Sequence, residues 1–286
     1  MLLIHFFLRY LYAPVFAVSF ISLALYLTSI NAAAVFFIVS IIVAIIISFI
    51  AERLLPYEGK WNQTKGDVWR DIVHALINEG TIVLILVVFP VLTLIIPKVE
   101  LWPSNWALWQ QLLLAIIVAD FGITMAHYAS HKCQLLWRFH AVHHSVKRMY
   151  GFNGLMKHPL HQAIELTAGT LPLMIIGLPL DIAALLSFSV IIQLLLQHSN
   201  VDIKIGYFVY LWAIAPGHRH HHLACKDNGD VNFGLFTMFW DHLLGTFVIH
   251  RSQPLDGDIG MAGTSGYPDS YKGQLFEPFK QRKEEG

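Results

Sequence analysis

The sequence predicts an all-α protein, a bundle of membrane-spanning helices with a histidine-rich site at one end. Three observations support this prediction: 56% of the residues are hydrophobic and 13% are charged, several apolar runs are long enough to cross a bilayer, and histidines cluster where such runs end. The mean hydropathy of +0.56 is too high for a soluble chain of 286 residues. The formal net charge is zero, so the composition suggests no nucleic-acid partner.

The first half of the chain contains four predicted spans. Apolar runs at residues 10–28 and 32–51 are separated by a short polar turn and predict a helical hairpin across the bilayer. No small-residue cleavage site precedes the second run, so we expect the first run to stay as an anchor. A polar stretch at residues 52–70 follows, and further spans are predicted at residues 73–96 and 105–126.

The second half is less regular. Two shorter apolar runs, at residues 163–179 and 180–197, are interrupted by proline and glycine, so they predict a hairpin that dips into the membrane or barely crosses it. After His198 the chain is mostly polar, except for a short apolar run at residues 207–215 that we expect in the membrane interface.

Basic residues predict the orientation of the bundle. Lysine and arginine concentrate in residues 52–70, in residues 132–161 and in the C-terminal part of the chain, whereas the turns around Ser29 and at residues 98–105 are short. With a hairpin of spans between them, the basic segments all fall on one side, and the positive-inside rule makes that side cytoplasmic. The histidine clusters lie on the same side, in a bacterial inner membrane or in the endoplasmic reticulum of a eukaryote.

Three histidine clusters have the spacing of metal ligands, and they comprise His127 and His131, then His140, His143 and His144, then His218, His221 and His222. On a helix, positions i and i+4 share a face about 6 Å apart along the axis, so the first two can bind one ion. We expect His140 and His143 to share an ion and His144 to turn toward a second one, with the same pattern in the last cluster. One zinc or iron ion uses three or four protein ligands, so eight imidazoles predict two ions.

Other classes of metal protein fit the sequence less well. An HExxH zinc-protease motif is absent, and a zinc hydrolase would need a single open site with a nearby general-base carboxylate. A histidine-rich metal transporter or storage protein is the main alternative, but a transporter should place its ligands near the bilayer midplane on broken helices. The two cysteines, Cys133 and Cys225, each lie near a histidine cluster; we expect no disulfide, and a thiolate ligand stays open.

The order of these motifs resembles the fatty acid hydroxylase and sterol desaturase superfamily. The HxxxH and HxxHH clusters are followed by a membrane hairpin, a second HxxHH, then NFG at residues 232–234 and WDHLLGTF at residues 240–247. The resemblance covers roughly residues 66–250, and the tail GYPDSYKGQLFEPF looks like that of bacterial members. It implies an N-terminal transmembrane hairpin and loop at 1–65, a catalytic domain at 66–250 and a cytoplasmic tail at 251–286.

Members of this superfamily are integral membrane non-haem di-iron oxygenases, so the resemblance implies two iron ions. It also implies their ligands: His127, His131, His140, His143, His144, His198, His218, His221 and His222. Some members carry a further histidine where this chain has Leu194. Whether His158 or His161 completes the ligands of the second ion therefore stays open at this point.

Several polar residues are candidates for supporting the ligands. Asp120 lies two helical turns before His127 in an apolar run, where an ionisable group is costly unless it is paired. It is expected either to orient a ligand imidazole by accepting its hydrogen bond or to serve as a helix-packing or interfacial carboxylate. Asn232 and Asp241, from the family-like motifs, are expected to support the ligands indirectly.

Ordinary structural roles are expected for the other polar residues considered. Glu79 and Glu165 lie near span ends and are expected to reach the lipid headgroups, and His242 is expected to pack in the interface. No role is assigned to His5, His74 or His250.

The expected function follows from the chemistry of such a centre. Cleavage of an unactivated C–H bond needs an oxidant that a metal carries and the protein positions. The clusters adjoin apolar helices, so the expected substrate is a lipid, such as a sterol, a fatty acyl chain or an alkylglycerol, that arrives within the bilayer. No haem or flavin motif is present, so electrons are expected from a separate donor, a cytochrome b5, a ferredoxin or a pterin. Hydroxylation is favoured over desaturation.

Overall fold

The computed structural model describes residues 2–224, 229–249, 259–261 and 266–280. Within these ranges every regular element is helical, and β pairing is limited to three isolated bridges. The predicted all-α class is confirmed. The α-helices are α1 (Leu2–Tyr10), α2 (Tyr12–Ser29), α3 (Ala34–Leu54), α4 (Val68–Ile95), α5 (Leu108–Lys132), α6 (Gln134–His144), α7 (Pro159–Ile175), α8 (Leu180–Gln197), α9 (Ala215–His221), α10 (Phe239–Leu244) and α11 (Tyr271–Phe276). Short 3-10 helices lie at Gly59–Asn62, Gly151–Leu155, Gly206–Tyr210 and Glu277–Phe279.

Five helices, α2, α3, α4, α5 and α8, are long and apolar enough to cross a membrane, which makes this a multi-pass membrane protein. They coincide with the predicted apolar runs. However, α4 begins at Val68 rather than at residue 73, and α5 ends at Lys132 rather than at residue 126. An apolar run marks only the lipid-facing part of a helix, because backbone hydrogen bonds continue into polar residues beyond it.

The hairpin predicted near residues 163–197 is formed by α7 and α8, joined by a tight turn at Gly177 with a φ of 96°. The Val99 amide, in the loop between α4 and α5, donates a hydrogen bond to the Ile175 carbonyl at 2.7 Å. The tip of the α7–α8 hairpin therefore lies at the same end of the bundle as the α4–α5 loop, opposite the histidines.

Helix α8 forms the centre of the bundle. Its residues from Ile191 to Gln197 are all buried, and it packs against α2, α3, α4 and α5. A helix that is apolar all round is expected in such a position. Helices α5 and α7 approach closely where Gly122 meets Ala168, since a Cβ on Gly122 would lie 2.0 Å from the Ala168 carbonyl oxygen. Only glycine allows this contact, and it draws the start of α7 toward the histidines of α5.

Buried polar contacts fix the loops at the histidine end. The Glu52 carboxylate, at the end of α3, accepts hydrogen bonds from the backbone amides of Gly151 (2.7 Å) and Asn200 (3.2 Å). Arg148 forms a buried ion pair with Asp67 just before α4, at 2.7 Å. These contacts tie the segments that follow α6 and α8 to the ends of the first spans, so the ends of the histidine-bearing helices are held in register.

Candidate metal centre

Nine imidazoles meet at this end of the bundle in two adjoining groups. In each group, one nitrogen from every ring lies within 4.8 Å of the others. The five-histidine group comprises His127, His131, His140, His144 and His221, and the four-histidine group comprises His143, His198, His218 and His222. The groups touch, since the rings of His144 and His222 stack with centroids 4.7 Å apart. The structure thus brings together all nine histidines that the resemblance implied.

The expected division of HAVHH and HRHHH between the two ions was wrong. His140 shares its group with His144, not with His143, and His218 shares its group with His222, not with His221. An α-helix turns by about 100° per residue, so the residue four places along lies about 40° away and the residue three places along about 60° away. The fourth residue is therefore the better partner on one face, as His127 and His131 also illustrate.

Backbone carbonyls fix two rings of the five-histidine group. His127 Nδ1 lies 2.9 Å from the Phe233 carbonyl oxygen, and His221 Nδ1 lies 2.9 Å from the Val231 carbonyl oxygen. A carbonyl oxygen only accepts, so in each ring Nδ1 carries the proton. The Nε2 atom of each neutral ring is then left with a lone pair.

These two lone pairs point at each other, because His127 Nε2 lies 2.9 Å from His221 Nε2. Neither atom has a proton to donate, so the contact is repulsive unless a cation accepts both lone pairs. Two imidazole nitrogens that bind one ion at right angles, each about 2.1 Å from it, lie about 3 Å apart. The nitrogen donors present therefore fit a metal ion.

The four-histidine group repeats this arrangement. His143 Nδ1 faces the Met156 carbonyl oxygen at 2.9 Å, and His198 Nδ1 faces the Leu194 carbonyl oxygen at 3.2 Å. Their Nε2 atoms lie 3.2 Å apart, and that of His198 lies 3.2 Å from His218 Nε2. The second set of donors also fits a metal ion.

Burial keeps the imidazoles outside the spans neutral. It holds the pKa well below the ordinary histidine value for His140, His144, His198, His218, His221 and His222. Burial, with the nearby Lys157 ammonium, lowers the pKa of His143 to about 3. Neutral imidazole is the form that binds a metal, so the site is ready for a cation near neutral pH.

A small cavity of about 10 Å³, roughly the room that one water molecule needs, opens beside the imidazoles. Part of its wall is apolar and comprises Ile123, Leu194, Phe233 and Leu235. The polar part includes Lys157 and Glu165 together with ligand-candidate imidazoles. Lys157 Nζ and the Glu165 carboxylate form a buried ion pair. The expectation that Glu165 reaches the headgroups was wrong, because the ion pair compensates its charge within the protein.

The two histidines of KHPLH lie outside both groups. His158 is the N-cap of α7, where its Nδ1 accepts a hydrogen bond from the Leu160 amide. His161 is fully buried; its Nε2 lies 3.0 Å from Ser130 Oγ, and its ring packs 4.4 Å from that of His140. Of the two, His161 is the one whose ring contacts a member of the groups, and the planes of these two rings are tilted by 37°.

Asp120 bonds none of the imidazoles among the residues that the structure describes. Its carboxylate accepts hydrogen bonds from the Phe236 amide (2.7 Å), the Thr237 hydroxyl (2.7 Å) and the Trp240 indole (3.1 Å). The interpretation that it accepts a hydrogen bond from a ligand imidazole is therefore wrong. It acts as a packing carboxylate that secures the segment after Phe233, whose carbonyl orients His127.

Asn232 and Asp241 support the same segment. Asp241 accepts from the amides of Phe233 and Gly234, both at 2.8 Å. Asn232, in the left-handed region with a φ of 56°, donates to the Gly217 carbonyl at 2.8 Å and so joins this segment to α9. Both residues bond the backbone near the ligand candidates, and the indirect support expected of them stays a prediction.

His74 was expected to have no role, yet it is fully buried. Its ring bridges the Lys157 carbonyl (3.0 Å) and the Gln274 side chain of α11 (2.9 Å). His5 is partly exposed on α1, His242 is exposed and contacts the Tyr210 carbonyl, and Cys133 is an exposed free thiol. His250 and Cys225 lie outside the described residues.

Sequence reasoning missed three kinds of support: the Asp230 carboxylate, two glutamine side chains, and the backbone carbonyls that accept from the ligand imidazoles. Asp230 accepts from His131 Nδ1 at 2.9 Å, and this hydrogen bond lowers the pKa of Asp230 to about 2. Gln193 and Gln197 of α8 donate to carbonyls of the segment 234–235 at 2.8 and 2.7 Å. The glutamines had a usable signal, since amides inside an apolar run are costly unless they are hydrogen-bonded. The carbonyl acceptors had none.

The histidines of this centre lie within a region of the chain that matches a known protein family. The family model described as fatty acid hydroxylase matches residues 112–246, a range that contains all nine histidines. No solved structure matches the chain.

Three relatives illustrate the range of similarity. Ornithine lipid hydroxylase OlsE of Rhizobium tropici is 34% identical over 253 residues, which cover 85% of this chain and 75% of that protein. Alkylglycerol monooxygenase of Danio rerio is 25% identical over 57% of this chain and 35% of the relative. C-4 methylsterol oxidase erg25 of Schizosaccharomyces pombe is 31% identical over 50% and 49%, respectively.

Proposed function

The chain belongs to the fatty acid hydroxylase family, and from this membership we propose that it is a membrane-bound di-iron oxygenase that hydroxylates a lipid. Its relatives are lipid hydroxylases and oxidases, so it is an O2-dependent oxidoreductase rather than a metal transporter or storage protein. The observation that carries the metal proposal is the pair of facing lone pairs on His127 and His221.

Two iron ions are proposed because two separate sets of donors are present. The five-histidine group would hold one ion and the four-histidine group the other. Imidazole suits Fe(II), and neutral ligands leave the centre cationic. When bound, the iron would pass electrons from the external donor to O2 and supply the oxidising power that cleaves a C–H bond.

The protein's own residues orient the ligand imidazoles, exclude water from the cavity and compensate buried charge. The Phe233, Val231 and Met156 carbonyls each hold an Nδ1–H, and so keep an Nε2 lone pair directed inward. The apolar side of the cavity, which includes Ile123 and Leu235, keeps bulk water from the reacting carbon.

Proton supply falls to the charged side of the cavity. Hydroxylation converts RH, O2, two electrons and two protons into ROH and water. Lys157 Nζ, paired with Glu165, is a protonated nitrogen that lines the cavity and lies in neither histidine group. We assign to it the holding of a proton beside the reacting atoms.

For the substrate we propose an ornithine lipid as the first candidate, because the match to that relative covers most of both chains. Alkylglycerols, methylsterols and fatty acyl lipids are the alternatives, and hydroxylation is favoured over desaturation. Electrons are proposed to come from a separate donor, either a redox protein or a pterin.

The active site is proposed to face the cytoplasm, because the basic loops lie at the histidine end. Reporter fusions after Leu54 and at the C-terminus should then both read as cytoplasmic, and a reporter at Lys98 as external. Opposite readings for Leu54 and the C-terminus would contradict this orientation.

The proposed function is tested by oxygen labelling. The protein is reconstituted in liposomes with iron, a reductase system and a mixture of ornithine lipid, alkylglycerol, sterol and acyl lipids, and is then exposed to 18O2. Mass spectrometry should find one labelled oxygen atom in a lipid product. Loss of two hydrogens without label would indicate a desaturase, and oxidation of water-soluble compounds alone would overturn the proposal.

A further inference from the structure

A group of exposed apolar side chains lies outside the five spanning helices, on the histidine side of the protein. We call it the apolar shelf, and it comprises Tyr207 (79% exposed), Phe208 (66%), Leu211 (64%), Phe239 (54%) and Leu243 (67%). The shelf belongs to the mostly polar part of the chain after His198. Exposed apolar patches of this kind mark contact with a membrane or with another protein.

The shelf is one surface although it comes from two segments. The Met238 amide donates to the Leu211 carbonyl at 3.0 Å, and the Ala213 amide donates to the Phe236 carbonyl at 3.0 Å. These bonds join the segment around the 3-10 helix Gly206–Tyr210 to the segment that leads into α10. The exposed side chains therefore hold a fixed arrangement.

The shelf is also fixed to a spanning helix. Asp120 of α5 accepts hydrogen bonds from Phe236, Thr237 and Trp240, as described above. The Trp240 ring packs against that of Phe121 on α5, with centroids 4.8 Å apart. Phe121 is itself exposed on the outer surface of that span. The apolar surface of α5 thus continues directly onto α10.

The position of Phe121 along α5 indicates how deep its contact with Trp240 lies in the bilayer. Exposed Trp106 lies just before α5 and exposed Trp109 in its first turn, at the end away from the histidines, where an aromatic belt marks a membrane boundary. Phe121 lies 12 residues after Trp109, a rise of about 18 Å along the helix, whereas the hydrocarbon core is about 30 Å thick. Tilting of α5 would shorten the rise further. The level of Phe121 and Trp240 is therefore still within the hydrocarbon.

We propose that the apolar shelf is immersed in the leaflet on the histidine side, so that its partner is lipid at the boundary between acyl chains and headgroups. Its continuity with α5 and its depth both favour lipid over a second copy of the chain or a soluble protein. Segment 233–235 adjoins the shelf, and its residues Phe233 and Leu235 line the cavity. This segment therefore lies between the shelf and the cavity, so the shelf side offers an approach by which a lipid could reach the cavity.

The inference is tested by spin labelling of the full-length protein in liposomes, without turnover. Single cysteines are introduced as Phe208→Cys and Leu243→Cys in a Cys133→Ser, Cys225→Ser background and carry a nitroxide. Ile117→Cys on the outer face of α5 is the lipid-exposed control, and Lys147→Cys, at an exposed side chain, is the aqueous control. Collision with O2, which concentrates in lipid, is compared with collision with a water-soluble nickel chelate.

Labels at Phe208 and Leu243 should favour O2 over the nickel chelate, as the label at Ile117 does. A preference for the nickel chelate, like that at Lys147, would place the shelf in water and overturn the proposal. Low collision with both reagents would identify a protein neighbour and would also overturn it. Because the experiment needs neither iron nor substrate, its outcome is independent of the proposed enzymatic function.

Discussion

His127 Nε2 and His221 Nε2 lie 2.9 Å apart, and in each ring the Nδ1–H donates a hydrogen bond to a backbone carbonyl oxygen. The contact joins the end of α5 to the end of α9, 94 residues later in the chain. Without a proton between them, two lone pairs at this distance favour separation, so the fold places together two donors that could hold a positive ion. The same logic applies to His143 and His198.

The two histidine groups predict two separable metal sites. The intact protein should bind two metal ions per chain under anaerobic conditions. His127→Ala removes a donor from the five-histidine group, and His143→Ala removes one from the four-histidine group; each should lower the stoichiometry toward one and abolish turnover. Cobalt titration followed by absorption, with elemental analysis, measures the stoichiometry.

His5→Ala is the matched control, because His5 is partly exposed on α1 and belongs to neither group. It should bind two ions. Full activity with a single bound ion, or unchanged stoichiometry in both ligand variants, would contradict the assignment.

A change at Asp241 tests whether the backbone at residues 233–234 supports metal binding. In Asp241→Asn, one acceptor becomes an NH2 donor that faces the backbone amides of Phe233 and Gly234. A buried amide left without its acceptor costs about 1–3 kcal/mol. The melting temperature should fall and metal should bind more weakly, because the Phe233 carbonyl no longer holds His127 firmly.

Asp181→Asn is the control for this change, since Asp181 is exposed at the start of α8 and, among the described residues, accepts a hydrogen bond from the neighbouring Ile182 amide. It should leave both the melting temperature and metal affinity nearly unchanged. Equal behaviour of the two variants would show that Asp241 does not support the centre.

The sequence predicted the spans and the histidines but not the partners of the histidines. Helical spacing brings His127 and His131 into one group, and this is visible in the sequence because both lie on one helix. The acceptors of the Nδ1 protons are carbonyls of Met156, Val231 and Phe233, and any residue type supplies a carbonyl. Their positions follow from tertiary packing, so no sequence signal marks them.

Glu165 illustrates a second limit of sequence reasoning. A carboxylate near the end of an apolar run is often at the headgroups, but here the Lys157 ammonium comes to it from the segment before α7. Such a meeting depends on how the chain turns between α6 and α7, which hydropathy does not report.

The neutral imidazoles predict acid sensitivity of the metal-free protein. Burial lowers the pKa of His143 to about 3 and holds that of His198 and His222 well below the ordinary value. Below about pH 6.5 the unfolded chain therefore binds protons that the folded chain does not. The free energy of unfolding should be nearly constant above pH 6.5 and should fall as the pH drops below it.

Each such imidazole contributes a slope of up to about 1.4 kcal/mol per pH unit, so several together give a steep loss. Thermal unfolding of metal-free protein in detergent between pH 8 and 4 measures this slope. A bound metal opposes protonation, so the metal-loaded protein should resist acid to a lower pH. A melting temperature of the metal-free protein that is independent of pH down to 4 would contradict neutral burial.

Substitutions in the Lys157–Glu165 ion pair should separate an effect on the stability of the fold from an effect on turnover. Lys157→Met leaves the Glu165 carboxylate buried without its cation, which costs about 3–5 kcal/mol. The double variant Lys157→Met, Glu165→Leu removes both charges and should recover most of the lost stability. Turnover should not recover with it, because the protonated nitrogen that lines the cavity is gone.

Lys147→Met, in an exposed ion pair with Asp269, is the matched control and should change neither quantity appreciably. Thermal unfolding, metal content and product formed per electron consumed distinguish the outcomes. If the double variant is stable, binds two metals and turns over at the original rate, the pair serves the fold alone. If it is stable and metal-loaded but consumes electrons without forming product, the result supports a role of the pair in delivering protons.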